Sequence, residues 1–171
     1  MQIALVAVLA LSLVCLSVFA KEAAKPVPVK IAVFDFELDD ESPAASLMNE
    51  ATSSAAALHK VSSEARLELA RSGRYRVIDA SQTDMSAVPN KSFRDCEGCE
   101  AGIALKLGAE QALIGVVKRA TQTDYYMWIQ IRDARTGKIL DQQAANFAGG
   151  EEGWASGVRM LIRHQVLASQ N

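Results

Sequence analysis

Between Val29 and Ile78 the chain reads strand, helix, strand, and that order constrains its fold more than any other feature. Val29 to Leu38 is first apolar on both faces and then alternates, with Phe34, Phe36 and Leu38 on one side and Asp35 and Glu37 on the other. A strand buried between two layers and emerging at its carboxyl end has this pattern. The acidic stretch 39–42 breaks the pattern, and Pro43 allows a helix to begin soon after. Leu58, Val61, Ala65 and Leu69 then recur on one helical face up to Ser72-Gly73, where glycine supplies a left-handed cap. A short strand, Tyr75 to Ile78, follows at once. A crossover long enough to hold a helix favours parallel pairing of the two strands.

The remaining elements follow the same logic. Ala80 to Arg94 contains Pro89 and Asn90 without a steady period and reads as a surface loop with a helical turn. Asp95 to Leu107 supplies a short helix ending at Gly108, and Gln111 to Ala120 a central strand. Tyr125–Asp133 and Lys138–Phe147 are two strands joined by Asp133-Ala134-Arg135-Thr136-Gly137, a turn suited to a bulged hairpin. The last helix spans about 151 to 168, with Trp154, Val158, Leu161, Ile162 and Val166 on one face and Glu151 and Glu152 at its positive end. The expected fold class is α/β: a mixed, mostly five-stranded sheet with flanking helices, a strand-helix-strand start, an antiparallel hairpin and a C-terminal helix.

Ahead of this domain, Ile3 to Ala20 is almost unbroken apolar sequence, the first charge is Lys21, and Val18-Phe19-Ala20 offers a cleavage site. Residues 1–20 read as a signal peptide, with a retained membrane anchor as the alternative. Cys15 follows Leu13-Val14 rather than the small residue a lipidation site wants, which argues against a lipid anchor. Residues 21–28, with two prolines and alternating charge, form a linker, and 29–171 a single domain. The 18 basic and 20 acidic side chains give a formal charge of −2. That balance provides no electrostatic footprint for nucleic acid or, once the leader is removed, for a membrane surface. The expected location is periplasmic or secreted.

Cys96-Glu97-Gly98-Cys99 is the sharpest local signal. Haem attachment requires histidine after the second cysteine, where Glu100 stands. Structural zinc needs four ligands, and only His59 and His164 remain to complete a pair of thiolates. A redox-active pair fits a cysteine at a helix N-terminus, although no strand runs into Cys96 as the thioredoxin-like order would have it. The preferred reading is a disulfide that closes a short loop and pins the start of the helix, a stabilisation of roughly 2 kcal/mol.

Asp35, Glu37 and Asp39 open an acidic cluster at the carboxyl end of the first strand, where open α/β sheets place ligand sites. Their spacing mimics the start of a calcium loop, but Asp40 stands where glycine is needed and Ser46 where glutamate is needed, so no metal or other cofactor is expected. His59 and His164 sit in no nucleophile motif and read as surface residues, and Gly149-Gly150 is a lead-in to the last helix rather than a phosphate loop. Tyr125 to Trp128 concentrate aromatic area in one strand. Alternation puts Tyr126 and Trp128 on one face and Tyr125 and Met127 on the other; one pair belongs to the core and the outer pair is a candidate partner surface.

Four segments taken together, V-K-I-A-V-F-D-F at 29–36, S-G-R-Y-R-V-I-D at 72–79, L-G-A-E-Q-A-L-I-G-V-V at 107–117 and D-A-R-T-G-K at 133–138, resemble the α/β module of the curli-export lipoprotein and of the N-terminal domain of the Tol-system propeller protein. With C-E-G-C at 96–99 and the tryptophan-led last helix, the chain looks like a family of exported bacterial proteins known only as a domain of unknown function. The resemblance implies this fold and a bacterial envelope location, and it transfers no catalytic residue. The function expected is a non-catalytic binding or accessory module whose partner is another envelope protein. Two alternatives stand beside it: a thiol-disulfide protein using Cys96 and Cys99, and a small-ligand or metal-binding protein using the acidic end of the first strand.

Overall fold

A computed structural model describes residues 27–42, 54–121 and 123–169. The expected leader, most of the linker and the stretch after Pro43 lie outside the described residues. Strands β1 (Val29–Val33), β2 (Glu37–Asp40), β3 (Tyr75–Asp79), β4 (Gln111–Arg119), β5 (Asp124–Asp133) and β6 (Ile139–Ala148) form one mixed sheet in the order β3-β1-β4-β5-β6, with β2 also paired to β4. The pairs among β3, β1, β4 and β2 are parallel, while β4-β5 and β5-β6 are antiparallel. Helices α1 (Ala55–Arg71), α2 (Cys99–Lys106) and α3 (Trp154–Leu161) complete the fold.

The helices occupy both faces. Val61, Ala65 and Leu69 of α1 and Trp154, Val158 and Leu161 of α3 bury themselves against Ile31, Val33, Leu113, Val117, Met127 and Ile129. Fully burying one such aliphatic side chain contributes about 1.5–3 kcal/mol, so this layer is the main core. Two ion pairs tie α1 to the C-terminal helical segment, Glu64 to Arg159 of α3 and Glu68 to Arg163 of the turn that follows it, each at 2.5 Å. The opposite face holds a smaller core of Ala32, Phe34, Ala112 and Ile114 under Ala104 of α2 and Val88 and Phe93 of the preceding loop.

The single strand expected from 29 to 38 is two strands, which raises the sheet to six. Val33 is level with Leu113 and Glu37 with Val116, so four steps along one chain meet three along the other. The extra residue is a bulge. It sends Phe34 into the smaller core and Phe36 into the main one, whereas simple alternation places them on the same side. The Phe36 N–H, released from the ladder, donates to the buried Ser62 Oγ of α1 at 2.9 Å.

Two other departures are local. The loop from 80 to 94 carries two short 3-10 turns, Met85–Ala87 and Pro89–Lys91. The last helix begins with a 3-10 turn at Glu151–Gly153 and ends in a wider π turn at Ile162–Val166, where the Leu167 N–H reaches the Ile162 carbonyl at 2.9 Å. The wider turn keeps Val166 buried with Leu161 and Ile162. No described helix is long and apolar enough to cross a membrane.

Candidate functional site

Cross-strand neighbours in a sheet share a face, so the register itself assembles a surface. One row runs Glu37, Val116, Trp128, Ala144, and the next runs Asp39, Lys118, Tyr126, Asn146. Tyr125, Met127 and Phe147 point the other way into the main core, where Tyr125 and Phe147 stack with centroids 5.5 Å apart. Tyr126 and Trp128 are thus the outer pair of the two left open by alternation. Both are half-buried, and Trp128 leans on the smaller core under α2. Four of the five residues expected to form a ligand or partner surface share this face of the sheet.

The acidic residues do separate jobs within it. Glu37 clamps the loop before α2: its carboxylate accepts from Ser92 Oγ at 2.8 Å and from the Phe93 N–H at 2.5 Å. Asp39 lies between Arg94, at 3.8 Å, and Lys118, at 4.0 Å. Lys118 is also bonded to Glu41 at 2.7 Å, and that hydrogen bond holds its ammonium above the ordinary range. The rim of the surface is therefore a mixed-charge lattice rather than a patch of one sign.

Asp35 stands apart. It follows the end of β1 and binds Arg66 of α1 at 2.7 Å, while Arg66 also donates to the Val33 carbonyl and pairs with Asp79 at 3.1 Å. The crevice lined by Asp35, His59, Ser63, Arg66, Asp79 and Ser81 opens at the carboxyl ends of β1 and β3, whose following helices leave to opposite faces of the sheet. This is the usual position of a ligand site in an open α/β sheet. Here the cation of the crevice is spent on its own neighbours. Asp79 is held below the ordinary carboxylate range by the Ser81 N–H, with help from Arg66. His59 and His164 are both exposed.

Cys96 and Cys99 are joined by a disulfide with Cα atoms 5.5 Å apart. Gly98 between them has φ of +111°, a region that favours glycine, and it lies against the Arg132 side chain. The helix expected from Asp95 begins instead at Cys99, the first residue of α2, and Glu100 in its first turn is 1% exposed. The sulfurs and the Glu100 carboxylate lie within 4.8 Å of one another. That is three donors, one fewer than structural zinc takes.

Sequence reading missed Glu100, because a glutamate in E-G-C-E looks solvated. Its burial depends on Arg132, which donates to it from β5 at 2.8 Å and lies 32 residues further along the chain. The available signal was an arginine on the same alternation as Tyr126 and Trp128, in a strand otherwise expected to be half core.

A family described as "Protein of unknown function (DUF2380)" matches residues 29–166, and no curated protein matches the chain. Among solved structures, the PelC dodecamer from Paraburkholderia phytofirmans is 18% identical with a TM-score of 0.50, covering 80% of this chain and 86% of that one. The LpoB C-terminal domain from Escherichia coli is 17% identical with a TM-score of 0.44, covering 74% and 86%. TolB from Acinetobacter baumannii is 15% identical with a TM-score of 0.46, covering 83% of this chain and 29% of that one. At these identities the likeness is one of fold.

Proposed function

Since the chain belongs to the family described as a protein of unknown function (DUF2380), we propose its role from its geometry: a binding or accessory module of the bacterial envelope. Residues 1–20 serve as a cleaved leader, 21–28 as a linker, and 29–171 as the module, which works in the periplasm or outside the cell. It docks another envelope protein on the sheet face that carries Tyr126 and Trp128.

The observation that carries this reading is the pair of rows on that face. Tyr126 and Trp128 supply rigid aromatic area, Asn146 and Ala144 continue it onto β6, and Lys118, Asp39 and Arg94 give it a polar rim. Protein interfaces favour this composition of aromatic centre and charged edge. A fold-mate, PelC of P. phytofirmans, forms a dodecamer, which supports the fold as a unit of assembly.

Photo-crosslinking residues placed at Tyr126, Asn146 and, as a control on α3, Met160 test the surface in the native cell. Positions 126 and 146 are expected to capture one discrete protein and position 160 none. No adduct from the sheet face, or equal adducts from Met160, would overturn the reading.

A further inference from the structure

The two oxygens of the buried Glu100 carboxylate have unequal partners. Oε1 accepts from Arg132 Nε at 2.8 Å, and Arg132 is fixed in turn by the Gly137 carbonyl at 2.7 Å and Gln130 Oε1 at 2.8 Å. Oε2 faces Cys96 Sγ at 3.6 Å, its one polar contact among the described residues. A disulfide sulfur carries no hydrogen, so in the oxidised protein this buried oxygen has no donor. Buried polar atoms without a partner are rare and call for an explanation. Reduction supplies one: a Cys96 thiol has two acceptors in reach, the Phe93 carbonyl at 3.2 Å and Oε2 at 3.6 Å, and the carbonyl already accepts from the Cys96 N–H whereas Oε2 has no other donor.

The second cysteine has a different environment. Cys99 opens α2, an eight-residue helix whose first N–H groups and positive dipole end favour a thiolate. The Glu100 carboxylate lies within 4.8 Å of both sulfurs and favours a thiol at each, so the helix N-terminus is what sets Cys99 apart and leaves Cys96 the proton-bearing sulfur. One sulfur is therefore poised as the nucleophile and the other as a proton-bearing partner beside a base, a division of roles typical of exchange chemistry.

We propose that Cys96 and Cys99 form a thiol-disulfide exchange site in which Glu100 is the proton acceptor for Cys96. In the reduced protein the Cys99 thiolate attacks a sulfur of a partner protein's disulfide. The partner S–S bond breaks, a Cys99–partner disulfide forms, and the other partner sulfur leaves as a thiolate. Cys96 then gives its proton to Glu100 Oε2, and its thiolate attacks Cys99 Sγ. The Cys96–Cys99 bond forms and the partner's second sulfur departs as a thiolate, to which Glu100 returns the proton. Two electrons pass from the protein dithiol to the partner disulfide, and a dithiol partner runs the same steps in reverse. Arg132 shares its strand face with Gln130, Trp128 and Tyr126, so a partner docked there reaches this pair; the exchange stands even if the docking surface does not.

The test uses the purified, reduced protein in the presence of a chelator, with oxidised glutathione as the partner disulfide. Trapping with iodoacetamide and mapping by mass spectrometry should show Cys99 modified roughly tenfold faster than Cys96. Glu100→Gln should lengthen the life of the Cys99–glutathione mixed disulfide by a similar factor. Equal alkylation of the two cysteines, or a mixed disulfide resolved equally fast in Glu100→Gln, overturns the proposal. Should that variant fail to fold, the alkylation ratio in the unmodified protein decides alone. A disulfide that excess reduced glutathione leaves untouched also overturns it.

Discussion

Gly115 of β4 lies against the ring of Phe36 so closely that a Cβ on it would sit 2.3 Å from two ring carbons. The bulge between β1 and β2 sets this contact, because it turns Phe36 into the main core at the level of the one residue of β4 without a side chain. Gly115→Ala should therefore cost about 3 kcal/mol by overpacking. Denaturant unfolding measures the loss, and Gly115→Ala combined with Phe36→Leu should recover part of it. A single variant as stable as the parent would contradict the contact.

Ser62 closes the same bulge. Its hydroxyl accepts from the Phe36 N–H and donates to the Leu58 carbonyl at 2.8 Å. Ser62→Ala leaves that buried N–H without an acceptor, at a cost of about 1–3 kcal/mol. Hydrogen exchange at the Phe36 amide should accelerate more than at neighbouring amides of β1 and β4, and uniform acceleration would refute the local account.

Arg119 is a buried cation at the far end of β4. It pairs with Asp40 at 3.2 Å and with Glu151, donates to Ser54 Oγ at 2.9 Å and lies 5.2 Å from the centroid of the Trp154 ring. Arg119→Met keeps the volume but leaves two carboxylates uncompensated, which costs about 3–5 kcal/mol. The melting temperature should fall by well over the amount produced by Arg135→Met, an exposed control on the hairpin turn.

Acid should loosen the packing of α1 on the turn that follows α3. Glu68 is buried, and its hydrogen bond from Arg163 holds its carboxyl below the ordinary value of 4.5, against the opposing effect of burial and with help from Arg71. A depressed carboxyl contributes stability that is full above its unfolded pKa and lost as the pH falls through its folded one. Urea midpoints should therefore drop between about pH 5 and pH 3, and Glu68→Gln should flatten that part of the curve. Parallel curves for the two proteins would dissociate Glu68 from the effect.

Local pattern revealed most of the elements because each is bounded by a residue with one conformational job. Gly73 and Gly108 end helices with φ of +69° and +78°, and Gly137 closes the β5-β6 turn at +73°. Long-range pairing was not legible in the same way. Alternation separated Tyr126 and Trp128 from Tyr125 and Met127, but it is symmetric, and only the docking of α1 and α3 decides which pair is inside. Phe34 and Phe36 looked like neighbours on one face because the extra residue of the bulge is defined by β4, which follows much later. Glu100 was unreadable for the same reason: its burial depends on Arg132 from another strand.

The parallel pairing of β1 with β4 also has a consequence in time. A chain made from its amino terminus exposes Ile31 and Val33 about eighty residues before their partners around Gln111 exist, a wait of ~4–16 s at ordinary rates of synthesis. The antiparallel strands β4, β5 and β6 meet neighbours almost as soon as they emerge. β1 can pair with β3 once Asp79 has emerged, so its first edge closes about thirty residues before β4 is made, and only its second edge stays open until β4 arrives.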